Sequence, residues 1–412
     1  MLEVTTIAGA LVAGIGGLIM GSSVWPYKLM RKYDFEHWWF VSGVAGLVVM
    51  PWAITLLGCP HAVEGIRAIP LRALLLGNLF SLGWGVANVL CGLCYLRIGV
   101  ALTGAVLSGL GASLGVVAPM IFKGSGQFKD APDPTSPAGL TVLCGVGVLV
   151  LGVIFASFAG FGRDRVLKGQ QRTSGSFLVG LVMAVVSGIL SAFMSFSFVY
   201  SQGPIKAHLS YIEPHQQIEV KIANEEKQRL AVASDGSVEI PGVGVVAVGG
   251  GFAADAAERI AEVVRRSRPI ASEEVVVTNG SVPATFAVFA LAVLAGTVVN
   301  LAYAVNRLNR NRSWHAIVTS WREFALAIII GVNFSVAVTM MGIGMLLLGA
   351  LGASIGVGIQ QAMQMIGGQG LGFVSGEWRG VHGRPRIQMY LAIAILIAAS
   401  VILAYGNTLA RN

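Results

Sequence analysis

The chain has 412 residues, of which 55% are hydrophobic and only 12% charged, a balance that excludes an ordinary water-soluble globule. Its net charge of +8 comes as short Lys/Arg clusters between apolar stretches, the pattern of topology signals rather than of a nucleic-acid-binding face. Of the four cysteines, Cys91 and Cys94 form a C-x-x-C inside an apolar stretch, with no second pair or histidine nearby to suggest metal or redox chemistry.

Ten apolar stretches follow one another, at 4–26, 38–58, 73–95, 98–122, 140–161, 177–201, 284–306, 323–348, 351–375 and 387–408. Twenty residues of α-helix rise about 30 Å, the thickness of a bilayer's hydrocarbon core. One such stretch could be a buried core helix, but ten in series cannot share a water-facing globule. The third and fourth are parted by a tight turn around Arg97. The uncharged run 324–376 is too long for one span and is divided near 349–352. The first stretch has no basic lead and runs into Trp25-Pro26-Tyr27, so a cleaved signal peptide is not expected. The expected fold class is an all-α polytopic membrane protein with ten transmembrane helices.

Lys and Arg in the short loops set the orientation. Loops after odd-numbered spans hold fifteen, among them Lys28, Arg31, Lys32, Arg163, Arg307, Arg310, Arg312 and Arg322. The opposite side holds five: Arg67, Arg72, Lys123, Lys129 and Arg411. The odd loops are therefore expected in the cytoplasm, with both termini and the long sixth loop outside an inner (plasma) membrane.

That sixth loop, 203–282, changes composition abruptly and carries eleven acidic residues against eight basic ones. Residues 218–222 alternate as a strand would, 238–248 read as further strand broken at Pro241-Gly242, and 253–266 read as an amphipathic helix. A small extramembrane α+β insertion is expected here, between helices 1–6 (1–202) and helices 7–10 (283–412). Gly249-Gly250-Gly251 lacks the Lys-Ser/Thr ending of a phosphate loop and reads as a turn. A five-plus-five division of the spans would insert the second half upside down, giving an inverted repeat suited to alternating access. The two halves share no strong internal identity.

The span ends carry recognisable fragments. The first loop reads Pro26-Tyr27-Lys28 and then Arg31-Lys32-Tyr33-Asp34-Phe35-Glu36, and Pro51-Trp52-Ala53-Ile54 closes the second span. The third holds Trp84-Gly85-Val86-Ala87-Asn88, and the sixth Gly188-Ile189-Leu190-Ser191-Ala192-Phe193. Val299-Asn300-Leu301 lies in the seventh, and Gly376-Glu377-Trp378 ends the ninth. In this order and spacing they resemble the L-rhamnose–proton symporter family of the drug/metabolite transporter superfamily. The resemblance implies a secondary carrier. Two departures stand out: the family's short link between spans six and seven is replaced by the insertion, and Thr339-Met340-Met341-Gly342-Ile343-Gly344-Met345-Leu346 is nearly all apolar where the rhamnose carrier has aromatic and polar groups.

A sugar site needs hydrogen-bonding groups for hydroxyls and an aromatic surface for the ring's C–H face. Polar groups inside spans are costly unless they face a cavity or a partner. The substrate-binding candidates are Trp84 and Asn88 in the third span, Asn300 in the seventh, Asn333 in the eighth, and Gln360 and Gln364 in the ninth. The last two are four apart and share a helix face. The plainer reading is that such amides tie helices together, each bond contributing about 0.6–2 kcal/mol. Proton coupling needs a titrating group, and no Asp or Glu lies deep in a span. Glu36, Glu323 and Glu377 sit at cytoplasmic edges. Glu36 is the coupling candidate because it falls in the resembling motif, beside Lys32, and its plainer reading is an interfacial ion pair.

No catalytic residue, metal site or cofactor is expected: the six histidines are scattered, and there is no Walker motif. The chain reads as a transporter, not an enzyme. It is expected to import a small sugar, L-rhamnose or similar, in symport with protons, as a monomer or homodimer in the lipid bilayer and without nucleic acid. Two alternatives are an exporter of metabolites or drugs, and a membrane sensor whose outer insertion binds a ligand. The sensor reading is weakened because the largest cytoplasmic loop has only about fifteen residues.

Overall fold

Hydrocarbon offers no water to bond a free backbone N–H or C=O, and an α-helix satisfies both within itself. The computed structural model describes residues 2–98, 100–121, 132–167, 177–223, 225, 228–266, 269–271, 274–348, 355–376 and 378–409, and in it the apolar stretches are helical. In chain order the helices are α1 (Leu2–Ser22), α2 (Phe35–Gly43), α3 (Met50–Gly58), α4 (Ala62–Ala68), α5 (Leu71–Ile98), α6 (Val100–Ile121), α7 (Pro137–Leu167) and α8 (Phe177–Ser191). They continue as α9 (Phe193–Leu209), α10 (Ala253–Arg265), α11 (Val282–Ala292), α12 (Leu294–Asn311), α13 (His315–Thr319), α14 (Trp321–Leu348), α15 (Val357–Val374) and α16 (Arg384–Leu409). A π-helical turn, Val44–Val49, joins α2 to α3.

Seven described helical segments are long and apolar enough to cross a membrane, and α11 with α12 would make an eighth if they form one span. The protein is a mostly helical, multi-pass membrane protein. The structure thus offers fewer full-length apolar spans than the ten read from the sequence. Four glutamines (Gln360, Gln361, Gln364 and Gln369) dilute α15, and α6 supplies only the shorter apolar stretch Gly109–Ala118. The expected break at 349–352 lies outside the described residues.

One compact unit comprises Met1–Val48, Leu79–Val199 and Val293–Asn412. In lipid the hydrophobic effect does not press helices together, so association rests on close packing, which small residues permit. A Cβ on Gly17 or Gly21 of α1 would run into the α15 backbone at Gln360 or Gln364. Gly111 and Gly115, the other expected small-residue pair, face Ser191 and Val357. Two further crossings set glycine on glycine. A Cβ on Gly85 of α5 would lie 2.7 Å from the Gly296 carbonyl of α12, and one on Gly331 of α14 would lie 2.8 Å from the Gly46 amide. The Gly296 N–H also donates to Ser81 Oγ at 2.9 Å.

The second unit comprises Val49–Asn78 and Tyr200–Ala292. Its antiparallel sheet has the order β3-β2-β7, with β2 Gln217–Ile222 between β3 Gln228–Ala231 and β7 Val275–Thr278. The register sets Ile218 opposite Leu230 and Val220 opposite Val277. Ile218, Val220 and Ile222 alternate inward and form a core with Val275, Val277 and the α10 residues Ala256, Ile260, Ala261 and Val264. Pro241-Gly242 turns the chain between β4 (Ser237–Ile240) and β5 (Gly244–Ala247), which pair as a hairpin. The α10 start is held by Asp255, whose carboxylate accepts the Phe252 N–H at 3.1 Å. α9 stays helical to Leu209, so the first residues of the 203–282 loop continue the preceding helix. α3 and α11 pack in this unit too, with Gly58 against Pro283.

The glycine crossings give a stability test. Gly331→Ala forces a methyl against the Gly46 backbone and should cost about 1–3 kcal/mol, seen as a lower Tm in detergent. Gly147→Ala, where nothing stands within 4 Å of the added carbon, should leave the Tm unchanged.

Candidate functional site

Trp84 is held by the α5–α12 crossing. Its ring carbon Cε3 would be 2.8 Å from a Cβ on Gly296, and the side chain is 5% exposed. One turn beyond Gly296, Asn300 folds its amide back and donates from Nδ2 to the Gly296 carbonyl at 2.8 Å. Asn300 is 2% exposed and its Oδ1 has no hydrogen-bond partner among the described residues. A buried acceptor without a donor is costly, by about 1–3 kcal/mol. Asn88 lies three residues past Gly85 on the same helix as Trp84. The crossing thus sets Trp84 and Asn300 each against Gly296, with Asn88 one turn along α5 from Trp84. Phe334 of α14 adds a ring nearly parallel to Trp84, 22° from coplanar with centroids 6.4 Å apart. Sequence reading missed Phe334, although it directly follows the candidate Asn333.

The other amides are placed differently. Asn88 and Asn333 are half-buried and make no hydrogen bond among the described residues. Gln360 is buried and donates from Nε2 to Gln364 Oε1 at 3.1 Å, so these two are paired with each other on α15. Asn78 ties α5 to α11 by donating to the Leu291 carbonyl at 2.8 Å, the helix-tying role that any of these amides could have had.

At the basic end of α12 two carboxylates are buried, each with its own kind of partner. Glu36, 3% exposed, accepts a short hydrogen bond from Asn311 Nδ2 on Oε1, and Arg307 Nη2 stands 3.7 Å from Oε2. Its partners are therefore on α12, four residues apart on one face, and not the neighbouring Lys32. That spacing was the signal available in the sequence. Beside it, His37 accepts the Asp34 N–H on Nδ1 at 2.9 Å, which leaves Nε2–H to donate to the Ser313 carbonyl at 3.1 Å. Glu323 of α14 is instead wrapped by backbone. It accepts N–H bonds from Arg31, Lys32 and Tyr33 at 2.6–2.9 Å, Lys32 reaching both oxygens. Outside the spans, Tyr33 feels that carboxylate: burial and the nearby Glu323 charge push its phenol above the ordinary value. Glu377 lies outside the described residues.

The two carboxylates differ in what their loss does. Glu323→Ala strands three amide donors, each costing about 1–3 kcal/mol where water cannot reach, so a large fall in Tm is expected. Glu36→Gln keeps an acceptor for Asn311 and should lower Tm far less. Equal losses would mean that both carboxylates serve structure alone.

Comparison with known proteins adds an independent line. The sequence model of the family described as L-rhamnose-proton symport protein (RhaT) matches residues 3–211. L-rhamnose-proton symporters of Yersinia pestis bv. Antiqua (strain Antiqua) and Yersinia pseudotuberculosis serotype O:1b (strain IP 31758) are each 28% identical over 172 residues. That is 42% of this chain and 49% and 48% of those proteins, so the match spans about half the length of the relatives. The resembling fragments at Val299-Asn300-Leu301 and Gly376-Glu377-Trp378 fall beyond the matched residues. With half of its length matched, the chain belongs to the L-rhamnose-proton symport protein (RhaT) family.

Proposed function

We infer that the chain is a secondary carrier that imports a small sugar, L-rhamnose or a close relative, in symport with protons across the inner membrane. The observation that carries this reading is the cluster of Trp84 and Asn300 within the spans, an aromatic face beside a buried acceptor with no partner. That pairing suits a sugar ring, whose C–H face is apolar and whose edge is hydroxyl. Asn88, Asn333, Gln360 and Gln364 complete the proposed lining. The relatives' name, L-rhamnose-proton symporter, agrees with both substrate and coupling ion. Glu36 is the proposed proton carrier. Taking up a proton removes the charge facing Arg307 and frees α2 to part from α12 at this end.

Ten crossings in a five-plus-five inverted repeat account for the helix contacts. The crossings in question are α1; α2–α3; α5; α6; α7; α8–α9; α11–α12; α14; α15; and α16. Within the first unit, the first crossing packs on the eighth and ninth, the second on the seventh and eighth, the fourth on the sixth and ninth, and the fifth on the tenth. The third packs on the sixth through Ser187 Oγ–H to the Ala87 carbonyl, and on the seventh at Gly85. Moving every member by five exchanges these pairs among themselves. The register follows too: Gly46 against Gly331 becomes, 250 residues on and 250 back, Gly296 against Ser81. Orientation is supported by the meeting of Glu36 with Arg307 and of Glu323 with the 31–33 backbone. The basic loops after the first and seventh crossings share a face, and the Lys/Arg excess assigns that face to the cytoplasm. The α+β insertion between α9 and α11 then lies outside.

Two experiments test this. Proteoliposomes should accumulate labelled L-rhamnose when a pH gradient is imposed. Glu36→Gln should abolish accumulation while sugar exchange persists, and Asn88→Leu or Asn300→Leu should weaken affinity roughly two- to tenfold, as loss of a neutral bond of about 0.5–1.5 kcal/mol implies. Accumulation by Glu36→Gln would move the coupling residue elsewhere. Separately, a reporter active only outside the cytoplasm should work when fused at Ser234 and stay silent at Lys168; the reverse would invert the topology.

A further inference from the structure

The two helices α5 and α14 are both 28 residues long. They align end to end at an offset of 250, which sets Arg72 on Arg322, Ala87 on Ala337 and Gly92 on Gly342. At that offset Trp84 falls on Phe334, the ring it faces. Two aromatic side chains at equivalent places in the two proposed halves therefore meet, as residues beside the axis of an inverted repeat would.

Their spacing is informative. Near-parallel aromatic pairs span about 4.5–7 Å between centroids, and this pair is at the wide end, 6.4 Å. A saturated ring held between them would need two van der Waals contacts of about 3.5–4 Å, or about 7–8 Å in all. The centroid separation is the upper bound on the gap between the ring planes, so the slot is closed as it stands and a swing of the half-buried Phe334 by about 1 Å or more opens it. The free Oδ1 of Asn300 belongs to the helix that packs on the same Trp84 ring.

We propose that Phe334 is a substrate-contacting residue, forming with Trp84 a closable aromatic slot for the faces of a pyranose ring, with Asn300 Oδ1 accepting one ring hydroxyl. The slot rests on the sugar reading above and specifies its substrate class: a cyclic sugar with an apolar face, in preference to an open-chain polyol of the same composition. Packing alone would also explain two neighbouring rings, but it would not make the choice between cyclic and linear ligands depend on Phe334.

The test uses the purified full-length protein with radiolabelled L-rhamnose, competed by unlabelled L-rhamnose and by its open-chain alditol. Phe334→Leu should weaken L-rhamnose about three- to tenfold, the range of an aromatic contact, and change the alditol's competition less than twofold. Phe334→Trp should keep wild-type preference. If Phe334→Leu does not purify as a folded protein, Phe334→Met, which also lacks a ring, is read in the same way. Unchanged L-rhamnose binding in these variants, or an equal loss for both ligands, would overturn the slot. Wild-type protein that binds no pyranose would overturn the sugar reading, and the slot with it.

Discussion

Backbone proximity is the constraint on which the membrane unit depends. Hydrocarbon neither bonds to peptide groups nor drives apolar surfaces together, so helices hold one another only where their atoms can approach closely. Gly46 on Gly331 and Gly85 on Gly296 supply that approach. Polar side chains then exploit the carbonyls it exposes. Ser187 Oγ–H donates to the Ala87 carbonyl at 2.7 Å, and Asn300 Nδ2 donates to the Gly296 carbonyl at 2.8 Å. The Asn300 donor is satisfied on its own helix, and its Oδ1 meets no donor among the described residues. The same close packing that builds the crossing thus leaves it with one unmet polar need.

The carboxylates at the basic face separate by the same accounting. Glu323 accepts from three successive backbone amides of the 31–33 turn. Glu36 accepts from the side chain of Asn311 and faces that of Arg307, both on a different helix. Both carboxylates have their partners on a different segment, but those of Glu36 are two side chains, one of them charged, whereas those of Glu323 are backbone amides. Loss of the Glu36 carboxylate's charge would remove an attraction to Arg307, which no backbone amide at Glu323 can match.

Much of the fold was legible because bilayer thickness and backbone bonding act on sequence length and polarity directly. The helices, the strand at 218–222, the hairpin at Pro241-Gly242 and the amphipathic α10 all follow from local periodicity. The site was less legible because its members are set by crossings between distant segments. Trp84 and Asn300 could be named as polar or aromatic intruders in apolar spans, but nothing local says that Gly85 meets Gly296. Phe334 looked like one more apolar residue, and Gln360 and Gln364 looked available although they bond to each other. Lys32, the neighbour in sequence, was a poor guide to the charge facing Glu36, since a helix some 275 residues further along the chain can be the nearer one in space.

In the proposed repeat the frame and the chemistry follow different rules. The offset of 250 carries the glycine crossing onto its counterpart and Trp84 onto Phe334, yet it carries Glu36 onto Phe286, Asn88 onto Val338 and Met50 onto Asn300. The packing that lets the two halves exchange roles is thus duplicated, whereas the polar groups stand on one member of each pair. A frame with two equivalent arrangements makes the inward-facing and outward-facing states close in energy, so that modest ligand binding shifts the balance between them. A single carboxylate without a counterpart breaks that equivalence on one side only. In the proposed cycle, charge on Glu36 would favour closure of the face where Arg307 and Asn311 meet it, and its neutralisation would favour opening there. In the proposed mechanism, duplication of the scaffold would provide the two states, and the carboxylate with no counterpart in the other half would tie one of them to a proton.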